Sequence, residues 1–283
     1  MNFLIQGELS MYSKKFDHEL SVAKRIALQT WDKIAHYYDT IITPKIKLDG
    51  THVTEADTFA NRFIVENLQE SFPNDSIVSE EEKSVLKGKR TWYVDPIDGT
   101  NGFYRRNGQF AIHMGLCEGE HPVMGVVYWP VTGDLYWGIV GQEAYRENSR
   151  GSIELRVRRN GQKELTASVS DREIPSDVNN LLIRLGVTAK NNSGSEGLRL
   201  MKIAENLADL RITEKEGIIS TWDVCAPHAI LKAAGGDIRY LDGSPLKYHG
   251  QRALGRRYAA VNNVRLLNKI ISFYKSEADL GIK

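Results

Sequence analysis

Apolar residues recur every three or four positions through DHELSVAKRIALQTWDKIAHYY, residues 17–38, with Leu20, Ala23, Ala27, Trp31, Ile34 and Tyr38 on one side. That period predicts an amphipathic helix. Beyond the turn-rich KLDGTHVTEAD, a second helix is predicted over 55–71, with Phe59, Phe63, Ile64 and Leu68 as its stripe. Thr54 is placed to cap it, and Asp57 stands three residues on, in the capping-box position. The pattern then shortens to that of strands. TWYV (91–94) reads as a buried strand, and QFAIHMGL, PVMGVVYW and DLYWGIV read as antiparallel hairpins joined by EGEH and PVTG. IELRVRR is expected to form a strand, RNGQ a turn and LTASVS another strand.

Beyond Ile174 helix and strand alternate: VNNLLIRLG, LRLMKIAENLAD, DLRIT, WDVCAPHAILKAAG, DIRYL, YAAVN and a terminal helix from Leu266 to Tyr274. Such alternation predicts α/β layers. No repeat or linker interrupts the chain. The expectation is two intimately packed halves, an α+β half over residues 1–160 and an α/β half over 161–283.

At 283 residues and 41% hydrophobic, the chain can bury a large core. Its 37 Lys and Arg balance 36 Asp and Glu, a net charge of +1, which argues against a nucleic acid polymer as partner. Cys117 and Cys225 lie inside apolar runs, the pattern of buried thiols in a reducing compartment. No apolar run approaches the ~20 residues of a membrane span, and the first residues lack a signal-peptide pattern. The protein is expected to be cytoplasmic with no integral membrane segment, and Met11 competes with Met1 as the start.

Chemistry concentrates where TWYV runs into Asp95, Pro96, Asp98, Gly99 and Thr100. Two acids at the end of a buried strand repel one another and lose hydration unless a cation joins them. Glu80, Glu81 and Glu82 precede them in a run that reads equally as a solvated loop. Oxygen ligands without a His or Cys cluster favour Mg²⁺, Mn²⁺ or Ca²⁺ over Zn²⁺. Gly99 permits a tight turn, and a helix starting at Thr100 would offer N–H groups to phosphate. Metal-assisted phosphoryl chemistry joins these features most simply.

SEE at 79–81, DPIDGT at 95–100 and WDVCAPHAILKAAGG at 222–236, in that order, resemble the signature of the lithium-sensitive inositol monophosphatase superfamily. The resemblance runs from the first helix to YAAVN. It implies an αβαβα sandwich of the inositol monophosphatase and sugar phosphatase type. It also implies that Glu80, Asp95, Asp98, Asp223 and the Ile97 carbonyl hold two or three Mg²⁺ ions, with Mn²⁺ able to substitute. Asp57 and Thr100, with Glu80, would orient and deprotonate the attacking water, and the Gly99 and Thr100 amides would hold phosphate. Without the resemblance, Asp223 reads as a helix-dipole residue.

Within that family GTNGFYRRNGQFAIHMGL and GVVYWPVTGDLYWG are similar to the bacterial 3'(2'),5'-bisphosphate nucleotidase branch. The resemblance implies a small phosphorylated metabolite as substrate, 3'-phosphoadenosine 5'-phosphate, with Arg105 and Arg106 facing its second phosphate. Two departures stand out: THVT where the family has Ser-Pro-Val-Thr, and GSEGLR at 194–199 where the nucleotidases have Gly-Ser-Ser-Leu-Lys. Gly194 and Ser195 fall in the segment that contributes to the leaving-group pocket. Glu216 lies where inositol phosphatases place a carboxylate against substrate hydroxyls. Inositol-1-monophosphatase is therefore the alternative activity. A sugar bisphosphatase fits less well, and a non-catalytic metabolite-binding regulator is opposed by the intact set of acids. The branch bears on assembly too, monomer for nucleotidases and homodimer for inositol monophosphatases.

Overall fold

The computed structural model describes residues 15–40, 44–46, 52–84, 86–158, 164–217, 219–248 and 250–279. Helix α1 (Asp17–Asp39) leads to a short hairpin of β1 (Lys45–Ile46) and β2 (His52–Val53), then α2 (Glu55–Ser71). Next come β3 (Ser76–Ser79), β4 (Arg90–Asp98), the one-turn α3 (Thr100–Tyr104) and β5 (Ala111–Glu118). The meander continues through β6 (His121–Trp129), β7 (Asp134–Ile139), β8 (Ala144–Asn148) and β9 (Gly151–Glu154). The remainder comprises β10 (Leu165–Ser170), α4 (Ser176–Leu185), β11 (Val187–Ser193), α5 (Glu196–Ala204), β12 (Leu210–Ile212), α6 (Thr221–Ala233), β13 (Asp237–Tyr240), β14 (Tyr258–Val261) and α7 (Val264–Asp279).

β3 to β9 form one sheet in sequence order, parallel only between β3 and β4. The other sheet runs β11-β10-β12-β14-β13, parallel on the β11 side and antiparallel through β14. Alternation along β4 sends Trp92 and Val94 into a core with α1 and α2, and Tyr93 into a second core with α5 and α6. A third core lies between the smaller sheet and α4 with α7. The result is the expected α/β class, with five layers in αβαβα order.

One packing device sets the position of α6. Gly115, Gly125 and Gly138 are register partners across β5, β6 and β7. A Cβ on any of them would overlap the backbone of α6 at Ala226 or Ile230. The helix therefore lies in a glycine trough, with its amino terminus over the end of β4.

Four expectations change. β4 does not stop at Val94 but runs to Asp98, with a register break between Asp95 and Asp98 that admits Pro96. On α2 the buried face centres on Ala56, Ala60, Ile64, Val65 and Leu68, while Phe59 and Phe63 flank it half-buried, because small residues let the helix approach the sheet closely. The strand expected over 153–159 ends at Glu154; Leu155 and Val157 are buried in the core instead, and the Val157 N–H bonds the Ala234 carbonyl. Helix α5 begins at Glu196, two residues before the expected Leu198, and ends at Ala204 as Asn206 turns left-handed at φ 61°. Met1, Met11 and RNGQ between Arg159 and Gln162 involve positions outside the described residues.

Candidate active site

The register break in β4 turns Asp95 and Asp98 toward the start of α6. Asp95, Asp98 and Asp223 each present an oxygen within 4.8 Å of the other two. Asp223 is the third residue of α6 and serves also as its cap, accepting the Ser220 N–H at 2.6 Å. Asp95 accepts the Ile97 N–H at 3.0 Å, which folds the DPID turn back on itself. Burial first, then the neighbouring Glu80, Asp98 and Asp223, holds Asp95 well above the usual carboxylate range. Asp223 is raised in the same way, by burial and then by Asp98. Three oxygen donors whose charges oppose one another at close range are the chemistry of a hard-cation site.

Glu80 follows β3, its N–H bonded to the Val94 carbonyl, and its charge is felt at both Asp95 and Asp223. Its loop is held from the far half of the chain. Arg252 donates to the carbonyls of Ser79 (2.8 Å), Glu80 (2.8 Å) and Glu82 (2.7 Å), and lies 4.5 Å over the Trp222 ring beside Asp223. The Ile97 carbonyl accepts the Thr100 hydroxyl at 3.3 Å.

Thr100 donates principally to Asp57 Oδ1, at 2.9 Å. Thr54 holds the other oxygen with its N–H (2.7 Å) and hydroxyl (2.5 Å), so the capping box of α2 also aims Asp57 at the site. Burial raises Asp57 to about 6 despite these bonds. Gly99, at φ 94°, caps α3 from the left-handed region, and a Cβ there would press on the Gln109 carbonyl.

The expected substrate residues spread apart. Arg105 and Arg106 stand exposed beyond α3, Arg106 at a left-handed φ of 56°. Glu216 is exposed on the turn before α6. Gly194 gives its N–H to Gln109 Oε1 at 2.6 Å. Ser195 is fully buried, and its hydroxyl donates to Asp98 Oδ2 at 2.5 Å.

The GSEGLR departure has a structural counterpart. Glu196 is enclosed by Arg199, Arg211 and the Tyr258 hydroxyl. Burial alone would raise Glu196, but Arg211 and Arg199 outweigh it and leave the group at about 2. Sequence reading overlooked His113, Gln109, Arg252 and this network. His113 carried a signal, a single ionisable residue within FAIHMGL; nothing local marked the others.

Residues 17–275 match a family model described as "Inositol monophosphatase family". The 3'(2'),5'-bisphosphate nucleotidase CysQ of Aggregatibacter actinomycetemcomitans is 30% identical over 238 residues, 82% of this chain and 88% of that one. Its Escherichia coli K12 namesake is 32% identical over 232 residues, 79% and 91%. Among solved structures, CysQ from Bacteroides thetaiotaomicron aligns at TM-score 0.72 and 27% identity over 87% of this chain and 98% of that one. The extragenic suppressor protein suhB from Bartonella henselae aligns at TM-score 0.77 and 20% identity over 91% and 98%.

Proposed function

The chain belongs to the inositol monophosphatase family and is a phosphoric monoester hydrolase, and we infer that it removes the 3'-phosphate of 3'-phosphoadenosine 5'-phosphate, giving AMP and inorganic phosphate. The observation that carries the chemistry is the convergence of Asp95, Asp98 and Asp223 beside the Thr100–Asp57 hydrogen bond. The choice of substrate rests on the nucleotidase relatives at 30–32% identity.

Glu80, Asp95, Asp98, Asp223 and the Ile97 carbonyl would hold two or three Mg²⁺ ions. Those cations would supply charge neutralisation at the phosphoryl oxygens and activation of water. The Thr100 hydroxyl donates its hydrogen bond to Asp57, so its oxygen is free to accept one from the attacking water, and the water's proton passes along this pair to the Asp57 carboxylate as water attacks. Water adds to phosphorus in line, the ester bond breaks on the opposite side, and the departing 3'-oxygen takes a proton from solvent water to become the hydroxyl of AMP. Gly99 and Thr100 amides hold the phosphate, and Arg105 and Arg106 meet the 5'-phosphate. Li⁺ is expected to inhibit by replacing a weakly held Mg²⁺.

The division at residues 160 and 161 is proposed as the boundary between the half bearing the DPIDGT turn and the half bearing the Trp-Asp helix. A cytoplasmic setting is proposed from the free, buried Cys117 and Cys225. Among the described residues no helix is long and apolar enough to cross a membrane.

The deciding experiment compares phosphate release from 3'-phosphoadenosine 5'-phosphate, inositol 1-phosphate and fructose 1,6-bisphosphate, with and without Li⁺. The nucleotide should have the highest kcat/KM; a higher value for inositol 1-phosphate would reverse the branch assignment.

A further inference from the structure

Asp98 is the acid of the cluster with the most elaborate support, and both of its hydrogen-bond donors come from the other half of the chain. Its Oδ2 accepts the Ser195 hydroxyl at 2.5 Å and the Gly197 N–H at 2.7 Å. His113 Nε2 packs against the same oxygen at 3.3 Å. Two donors occupy the two lone pairs of one carboxylate oxygen. The other oxygen is thereby left as the ligand atom, in an orientation the side chain cannot easily change.

The segment that provides these donors is itself fixed. The Ser195 hydroxyl accepts the Leu198 N–H at 3.1 Å, capping α5. Arg199 bonds the carbonyls of Ser193 (2.8 Å) and Gly194 (3.1 Å), and Gln109 holds the Gly194 N–H. Glu196 anchors the first residue of α5 to the fully buried Arg211. Ser195 has no exposed surface through which to reach a leaving group.

We propose that Ser195 is a positioning residue for the cation ligand Asp98, rather than part of the leaving-group pocket, and that the first turn of α5 makes the C-terminal half a structural component of the metal centre. The proposal rests on the reading of the acidic cluster as a divalent-cation site, and it is independent of which phosphate ester is hydrolysed. Supporting partners of metal ligands act by fixing the ligand's orientation, and their loss typically weakens metal binding by roughly 10–100-fold.

The test titrates Mn²⁺ into the metal-free protein, counting free ion by its EPR signal, for wild type, Ser195→Ala and the near-isosteric Ser195→Cys. Both variants should bind Mn²⁺ more weakly, Ser195→Ala by roughly 10–100-fold, and kcat at saturating substrate should need correspondingly more Mn²⁺. Ser195→Cys keeps the volume of the site and guards against misfolding of the alanine variant. Wild-type Mn²⁺ affinity in a folded variant, or a raised substrate KM with Mn²⁺ affinity unchanged, would overturn the proposal. Absence of Mn²⁺ binding by the wild type would instead remove the cation reading beneath it.

Discussion

Thr100 Oγ1 lies 2.9 Å from Asp57 Oδ1, joining the turn after β4 to the first turn of α2. Because Thr54 makes both of its hydrogen bonds to the other oxygen, Oδ1 is the oxygen of Asp57 that is turned to Thr100. Thr100→Val and Asp57→Asn should each lower kcat by about 10²–10⁴, the usual contribution of a positioned proton acceptor. The double variant should be little worse than either single one, since both interrupt one relay. Steady-state kinetics at saturating Mg²⁺ measures this, with Mn²⁺ binding retained as the control.

Asp95→Asn should separate stability from activity. In the metal-free protein Asp95 is raised by burial and by three neighbouring carboxylates, so neutralising it relieves repulsion. Thermal unfolding in EDTA should therefore shift upward relative to wild type, while Mg²⁺-dependent activity falls by several orders of magnitude. A lower midpoint in EDTA would show that Asp95 contributes more as a hydrogen-bond acceptor than it costs as a charge.

Burial of these acids also predicts a pH dependence of folding. Asp57 rises from its ordinary 3.8 to about 6 in the folded protein, burial being the main cause. Folding then favours the protonated acid. Its contribution is fully present below the unfolded value and is lost as pH rises through about 6, a change on the order of 3 kcal/mol. Asp95 and Asp223, also raised, act with the same sign. Urea midpoints in EDTA should fall as pH rises across that window, and Asp57→Asn should flatten the profile there. Added Mg²⁺ should restore stability at the upper end.

The Asp95–Asp98 turn, the Asp57 cap and the Trp-Asp helix start could be read from the sequence because each is a local pattern with its own turn or cap chemistry. The β3, β8 and β11 strands were missed; SIVS is short, and AYREN and VTAKNNS carry polar residues on both faces. The glycine trough beneath α6 could not be foreseen, since Gly115, Gly125 and Gly138 become neighbours only through strand register. The pairing of Ser195 with Asp98 spans 97 residues and depends on how two sheets pack. Long-range polar contacts of this kind leave no periodic trace.

Arg211 offers a stability test outside the Asp95, Asp98 and Asp223 cluster. It is fully buried, with Nη2 2.7 Å from Glu214 Oε2 and Nε 3.0 Å from Glu196 Oε1. Arg211→Met leaves both carboxylates without this partner, and should cost about 3–5 kcal/mol. Denaturant unfolding at neutral pH measures it.

Gly197 and His113 form a complementary pair. A Cβ on Gly197 would overlap the His113 ring. That ring has no exposed surface and rests against Asp98, so it has nowhere to withdraw. Alanine ordinarily improves a helix by up to about 1 kcal/mol over glycine, yet Gly197→Ala should destabilise by about 1–3 kcal/mol, the usual range for overpacking a core. His113→Ala should lose packing by itself but remove the overlap, so Gly197→Ala should become neutral or favourable in the His113→Ala background. A double-mutant cycle of unfolding free energies reads this directly. Strictly additive losses would mean that helix α5, rather than the His113 ring, moves to accept the methyl group.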